Sequence, residues 1–563
     1  MLNGDPRYPN LRVLDLRKEA DEKRLPLFLS GIGDPDRRGI NARDLPLSTP
    51  GGLIANLLSP QNPRSIGARG VIVELEYVDR DTNIDYAQLY ARAFKDHPRR
   101  AFRLLFFGEP INSYKDFSDH VAISRLTRSY CQGYCVVSPM GSRMIGRTVL
   151  PPPKGDKAWF FIPTQSEFSS NVAGIPLSAT GTAFAQQDSR VAACASAATW
   201  MSTVLLARRF NHDVPIRSMS EITGLATKYS LPSSGRGANP GLSVGQILWA
   251  LQEMGYEPLI SDVFDPNETS ELVYSSVESG IPAILVIYLP NFGGYHAVTV
   301  VGHTYDHSLS LADISAKNVE SARVWSPHFI IHDDQMGPYL KVKVDSPNSK
   351  TQGRPSLHVD PDDSLMGMFK EEIIKWYSDA SIYYVIMPFA PRHTLRPDHA
   401  AARARAILNS AFKLYSKRLR IALPDPHFYR TYFISSNEFK RRLVPQSDMA
   451  GQGVPGLSSE LSRWYRGSSY PRYLWVTELC GMEHRVLQRP EDLRIIADVT
   501  LDPTSSRQSP DFVTLHLPHA FFRMLPDSAD VSNALASPTA YVKDDTPYQP
   551  LVRMASCQPP TLK

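Results

Sequence analysis

Cysteine is scarce in this chain, with five in 563 residues, at Cys131, Cys135, Cys194, Cys480 and Cys557. So few and so scattered, they exclude a disulfide framework and fit a reducing compartment. A surplus of one charge is also missing. Lys and Arg number 61 against 57 Asp and Glu, a formal net charge of +4, and no run of five or more basic residues supplies a footprint for nucleic acid. No stretch approaches 18 consecutive apolar residues. The start, MLNGDPRYPNLRVLDLRKEADEKR, has no basic region followed by an apolar one. The expectation is a soluble, cytoplasmic protein that neither spans nor binds a membrane. No P-loop, dinucleotide fingerprint, His-Glu-x-x-His or calcium-loop pattern is present, so no cofactor and no metal is expected.

An apolar share of 42% and a charged share of 21% describe an ordinary globular chain, and its length calls for several domains. Residues 1–155 mix strands (GVIVELEYV, RAFRLLFFG) with an amphipathic helix (DYAQLYARAFKDH) and end at a proline-rich joint, TVLPPPKGDK. Residues 156–392 run helices first and strands after, an α+β order. Residues 393–563 open with an Ala-rich helix with a basic face, RPDHAAARARAILNSAFKLYSKRLRIAL, read as packed on its own domain in preference to a membrane surface or nucleic acid. They continue with three strands, RYLWVTELC, LRIIADVTL and DFVTLHL, and from about Asp527 the composition suggests a weakly ordered tail. Two patterns carry no chemistry. Cys131 and Cys135 in SYCQGYC lack a second Cys/His pair for a metal and are read as ordinary thiols. GLSVG at Gly241–Gly245 imitates a nucleophile elbow, but a loop precedes it and Ser243 reads as a helix N-cap.

The middle region holds the candidate chemistry. In QQDSRVAACASAATWM, Cys194 stands in the first turn of a helix whose apolar stripe is Ala197, Met201, Val204 and Leu205. Free N–H groups at a helix start favour a thiolate, and the small neighbours Ala192, Ala193, Ala195 and Ala197 leave the sulfur approachable. On this stretch alone, a packed small-residue helix with an incidental thiol accounts for the cysteine as well. A thiol nucleophile needs a base on another element. His296 follows Gly293-Gly294 and opens the alternating strand HAVTVVGHTY, with His303 as its competitor at the far end. An acceptor must fix the imidazole, and HFIIHDDQMGPY offers Asp333 and Asp334 at a turn that would expose them. Oxyanion donors would be the Cys194 N–H and a side-chain amide upstream, Gln187 with Gln186 behind it.

Taken in order, Gln, Cys plus helix, GLSVGQILWALQEMGY, GIPAILVIY, GYHAVTVVGH and HDDQMG resemble a papain-like cysteine peptidase, and within that superfamily the branch of the bacteriocin leader peptidases. The resemblance spans roughly residues 180–345. It implies a papain-like core flanked by α+β accessory regions, with Cys194 as nucleophile, His296 as base, Asp333 as orienter because Gly337 lies four residues on, and Gln187 as oxyanion donor. The chain departs from the family pattern at four points. Ala195 replaces the usual glycine, Ala193 an Asn or Asp, Asp334 a proline, and the interval from Gln187 to Cys194 is one residue longer. The expected function is a cysteine peptidase or an amide or isopeptide hydrolase acting on a peptide or protein, with room for an activating protein partner. An acyltransferase or transglutaminase-like enzyme using the same triad, and a non-catalytic peptide-binding scaffold, are the alternatives.

Overall fold

A computed structural model describes residues 9–30, 45–46, 49–59, 65–88, 90–111, 131–139, 143–152, 159–187, 194–209, 214–229, 241–305, 321–359, 369–390, 394–423, 427–444, 454, 456–481, 494–506, 511–524, 531–543 and 546–548. They form helices and antiparallel sheets, an α+β protein. Among them no helix is long and apolar enough to cross a membrane. The chain divides into two compact units. The first comprises residues 1–266, 280–302 and 329–388, the second 267–279, 303–328 and 389–563.

In the first unit a seven-stranded sheet runs in the order Leu11–Asp15, Gly70–Tyr77, Ala101–Phe107, Cys131–Ser138, Met144–Leu150, Ile175–Phe184, Ser166–Val172. The expected strands GVIVELEYV and RAFRLLFFG are its second and third members. The helix expected over DYAQLYARAFKDH lies earlier and is shorter, Arg80–Gln88, followed by a single 3₁₀ turn at Tyr90–Arg92. Asp79 explains the shift, because its carboxylate accepts from the Thr82 N–H at 2.8 Å and starts the helix upstream of the apolar pattern.

The sheet that carries the candidate site has the order Ala283–Leu289, Gly294–Tyr305, Phe329–Asp333, Gly337–Asp345, Ser356–Val359, Ser381–Phe389, Glu257–Asp262. Ala283–Leu289 also pairs with Ser381–Phe389, so the sheet returns on itself. Such strands are buried on both faces, which is why AILVIYL is a continuous apolar run. Helix Val244–Glu253 begins at Ser243, whose hydroxyl accepts from the Gln246 N–H while Gln246 reaches back to the Ser243 N–H, a full capping box.

In the second unit six strands follow one another, His427–Ser435, Tyr473–Gly481, Arg494–Leu501, Thr514–Leu517, Ala520–Arg523 and Ala540–Tyr541. Helix Pro397–Leu419 packs on them through Ala400, Ala404, Ile407, Ala411 and Tyr415, a stripe of helical period. The tail differs from expectation. Residues 531–536 form a helix, Ala540–Tyr541 extends the sheet, and the buried Tyr548 hydroxyl donates to Asp498. One buried aromatic with a carboxylate partner anchors a segment whose composition alone is that of a loop. Cys557 lies outside the described residues.

Candidate active site

The helix Cys194–Arg209 differs from the single-striped helix its sequence suggests. From Ala195 to Leu206 every residue is buried. Its hydroxyls make this tolerable by satisfying themselves at short range. Thr199 Oγ1 donates to the Ala195 carbonyl at 2.7 Å and Thr203 Oγ1 to that of Thr199 at 2.8 Å. Two further hydroxyl bonds clamp the helix to the site sheet. Ser202 donates to the Pro282 carbonyl at 2.9 Å, and Thr299, on the strand of His296, donates to the Ala198 carbonyl at 3.0 Å. Cys194, the first residue of the helix, is half-buried and free.

His296 is close enough for the sulfur to act on its imidazolium. The strand Gly294–Tyr305 reaches this position after Gly293, whose φ of +73° is open to glycine at little cost. His296 is only 3% exposed, and Nε2 lies 3.1 Å from Asp333 Oδ1, which leaves Nδ1 as the ring atom for the thiol. Asp333 in turn is fully buried and heavily served. Oδ1 also accepts from the Gln335 N–H at 2.8 Å and the Met336 N–H at 3.2 Å, and Oδ2 accepts from the Tyr377 hydroxyl. Asp333 therefore holds the turn and the imidazole with one carboxylate. The turn closes at Gly337, φ +103°, where a Cβ would press on Leu53.

The structure thus brings Cys194, His296 and Asp333 into one chain of contacts. Burial alone would depress the imidazolium, but the Asp333 charge, its hydrogen bond and the Cys194 contact hold His296 well above the ordinary histidine range. Burial likewise opposes ionisation of Asp333, and the charge and hydrogen bond of His296, with Tyr377 and the Gln335 amide, keep its carboxyl below the usual value.

The expectation that the turn would expose both acids fails, since Asp333 is 0% and Asp334 1% exposed. Asp334 Oδ1 lies 3.6 Å from His296 Nε2, and burial pushes this carboxyl up to about 6. The donor atoms of His296, Asp333 and Asp334 lie within 4.8 Å of one another, a spacing a cation could bridge. Asp333 Oδ1, however, already accepts from two backbone amides and the imidazole, and so is committed to the turn and the ring.

The other candidates divide clearly. Gln186 is committed to the sheet, its N–H donating to the Ile145 carbonyl at 2.7 Å and its Oε1 accepting from the Ile145 N–H at 3.2 Å. Gln187 is half-buried and stands at the end of the described segment before Cys194; Ala192 and Ala193 lie outside the described residues. His303 has both ring nitrogens engaged, Nε2 with Glu278 Oε1 at 2.8 Å and Nδ1 with Ser326 Oγ at 3.0 Å. His332, next to Asp333 but on the other face of its strand, faces Thr182 and the Ala183 carbonyl. Burial depresses it to about 3, so it is a neutral packing residue.

Sequence reasoning missed Tyr377 and Trp376. Tyr377 supplies the fourth contact of Asp333, and the Trp376 ring stands edge-on to His296 at 5.8 Å with Phe292, 57% exposed, against its outer side. The signal available was the Trp-Tyr pair ending the short helix Lys370–Trp376, which nothing local connects to a turn over forty residues upstream.

Compared with models of protein families the chain matches none, and no curated protein matches it.

Proposed function

We propose that the chain is a thiol hydrolase, a cysteine peptidase or amide or isopeptide hydrolase with a papain-like core. The observation that carries the reading is the contact chain from the half-buried Cys194 through the buried His296 to the fully satisfied Asp333 carboxylate. A thiol that opens a helix, an imidazole with one nitrogen toward it, and a carboxylate fixing the other nitrogen are the parts of nucleophilic acyl transfer. His296 takes the thiol proton, the sulfur attacks the carbonyl carbon, and the imidazolium protonates the departing amine. Water, deprotonated by the same imidazole, then releases the acid from the thioester. The Cys194 N–H and Gln187 are the proposed oxyanion donors.

The other described thiols sharpen the test. Cys131 and Cys135 are buried, and burial pushes them up to about 11 and about 12; Cys480 is buried and pushed higher still. Among the described thiols, Cys194 is therefore expected to carry the adduct under iodoacetamide near neutral pH, located by mass spectrometry. His296→Ala should slow labelling and peptide cleavage by about 10²–10⁴. If Cys194 labels no faster in wild type than in His296→Ala, the reading falls. Fast labelling with amide formation to added amines, and no cleavage, would assign the same relay to acyl transfer.

A further inference from the structure

Asp334 has no place in the relay just described, yet it lies inside it. Its side chain is fully buried, and Oδ2 accepts from Gln335 Nε2 at 3.2 Å. Oδ1 has no hydrogen-bond partner and stands 3.6 Å from the His296 nitrogen that Asp333 already holds. A buried acceptor left without a donor costs free energy and requires an account. The groups facing it are His296 on its strand, Asp333 and Gln335 on its own turn, and Tyr377 from the segment before Ser381. Cys194 lies beyond the imidazole.

We infer that Asp334 is a positioning residue for His296, a second carboxyl that shares the Nε2–H when it ionises and so extends the alkaline range over which the imidazolium persists beside the Cys194 thiolate. The inference rests on the thiol-hydrolase reading of the same site. Its physical content is electrostatic. Protonated, Asp334 is neutral and Asp333 alone orients the ring. On ionisation its proton leaves to solvent and a second negative charge lies against the imidazolium, which opposes loss of the ring proton. The carboxyl sits where this change falls inside the working range, since burial and the neighbouring Asp333 charge raise it while His296 opposes them.

The experiment is the rate of Cys194 alkylation by iodoacetamide on the full chain, followed from about pH 4.5 to about pH 10 so as to span histidine and thiol titrations. It is run on wild type, Asp334→Asn and His296→Ala. Wild type should show an inflection near pH 6 that Asp334→Asn lacks. The alkaline inflection, where the imidazolium loses its proton and leaves the thiolate without its cationic partner, should lie at least about one pH unit lower in the variant, the effect of removing a charge at this distance. In acid, where Asp334 is neutral, the two should react alike. Superimposable profiles, both slowed by His296→Ala, overturn the role of Asp334 and leave the hydrolase reading standing. Slow wild-type labelling that ignores His296→Ala overturns the hydrolase reading, and this inference with it. Should Asp334→Asn fail to fold, the wild-type profile decides alone, because the absence of the extra inflection overturns the proposal.

Discussion

At the scale of single residues, the site is governed by how many donors each carboxylate receives. Asp333 accepts from His296, two backbone amides and Tyr377, whereas Asp334 one residue on has only the Gln335 amide and its own backbone N–H. The same burial therefore leaves one acid ionised and holds the other up to about 6. Tyr377 contributes to that division. A hydrogen bond to a charged group is worth about 1.5–3 kcal/mol. Tyr377→Phe should thus lower kcat/KM for a peptide substrate by about tenfold or more while the fold is retained, measured by steady-state kinetics beside a melting curve. An unchanged kcat/KM would reduce Tyr377 to a packing residue. Cys194, His296 and Asp333 were legible in the sequence because each is a reactive type at the end of an element with a distinctive neighbour: a small-residue helix, a Gly-Gly turn, a glycine four residues on. Asp334 and Tyr377 were not. An acid pair at a turn looks solvated until a tyrosine from a distant segment covers it.

At the scale of elements, local pattern predicts period well and burial poorly. The stripe of Pro397–Leu419 and the strands Tyr473–Gly481, Arg494–Leu501 and Thr514–Leu517 follow the sequence directly. The helix Cys194–Arg209 does not, because serine and threonine that would mark a wet face turn back onto carbonyls and let that face be buried. The second unit hides a larger surprise. Arg430, Glu478, Asp498 and His516 are register partners across four neighbouring strands, each no more than 1% exposed, and Glu278 from helix Pro266–Glu278 completes the charge around Arg430. Burial opposes ionisation of Glu278, but Arg430 and His303 hold it down to about 2. Its contribution is therefore present above the ordinary glutamate range and lost as pH falls toward about 2. Glu278→Gln should cost about 3–5 kcal/mol at neutral pH, the penalty for breaking a buried pair, and less in strong acid. Urea unfolding at both pH values checks this, and a penalty independent of pH would mean that packing, not charge, is lost.

At the scale of the whole molecule, the chain's path constrains how it can be divided. It crosses between the two units at residues 266/267, 279/280, 302/303, 328/329 and 388/389, so neither unit is one continuous piece. This has no local signature, because the segments 267–279 and 303–328 look like any helix and strand end beside their sequence neighbours. Their polar residues reveal the membership. Glu278 and His303 face one another, and Arg430 closes the charge from a strand more than a hundred residues on. A chain stopped after residue 392 would keep Glu278, His303 and the helix Pro266–Glu278, buried from Leu272 to Glu278, while losing Arg430 and the six-stranded sheet that belongs to their unit. It would leave Glu278 without its strongest partner, a loss of about 3–5 kcal/mol against the roughly 5–15 kcal/mol that separates folded from unfolded domains. The 1–392 fragment should therefore be recovered aggregated, or should unfold well below the full chain by circular dichroism. A fragment that melts with the full chain would show that the first unit stands without the second.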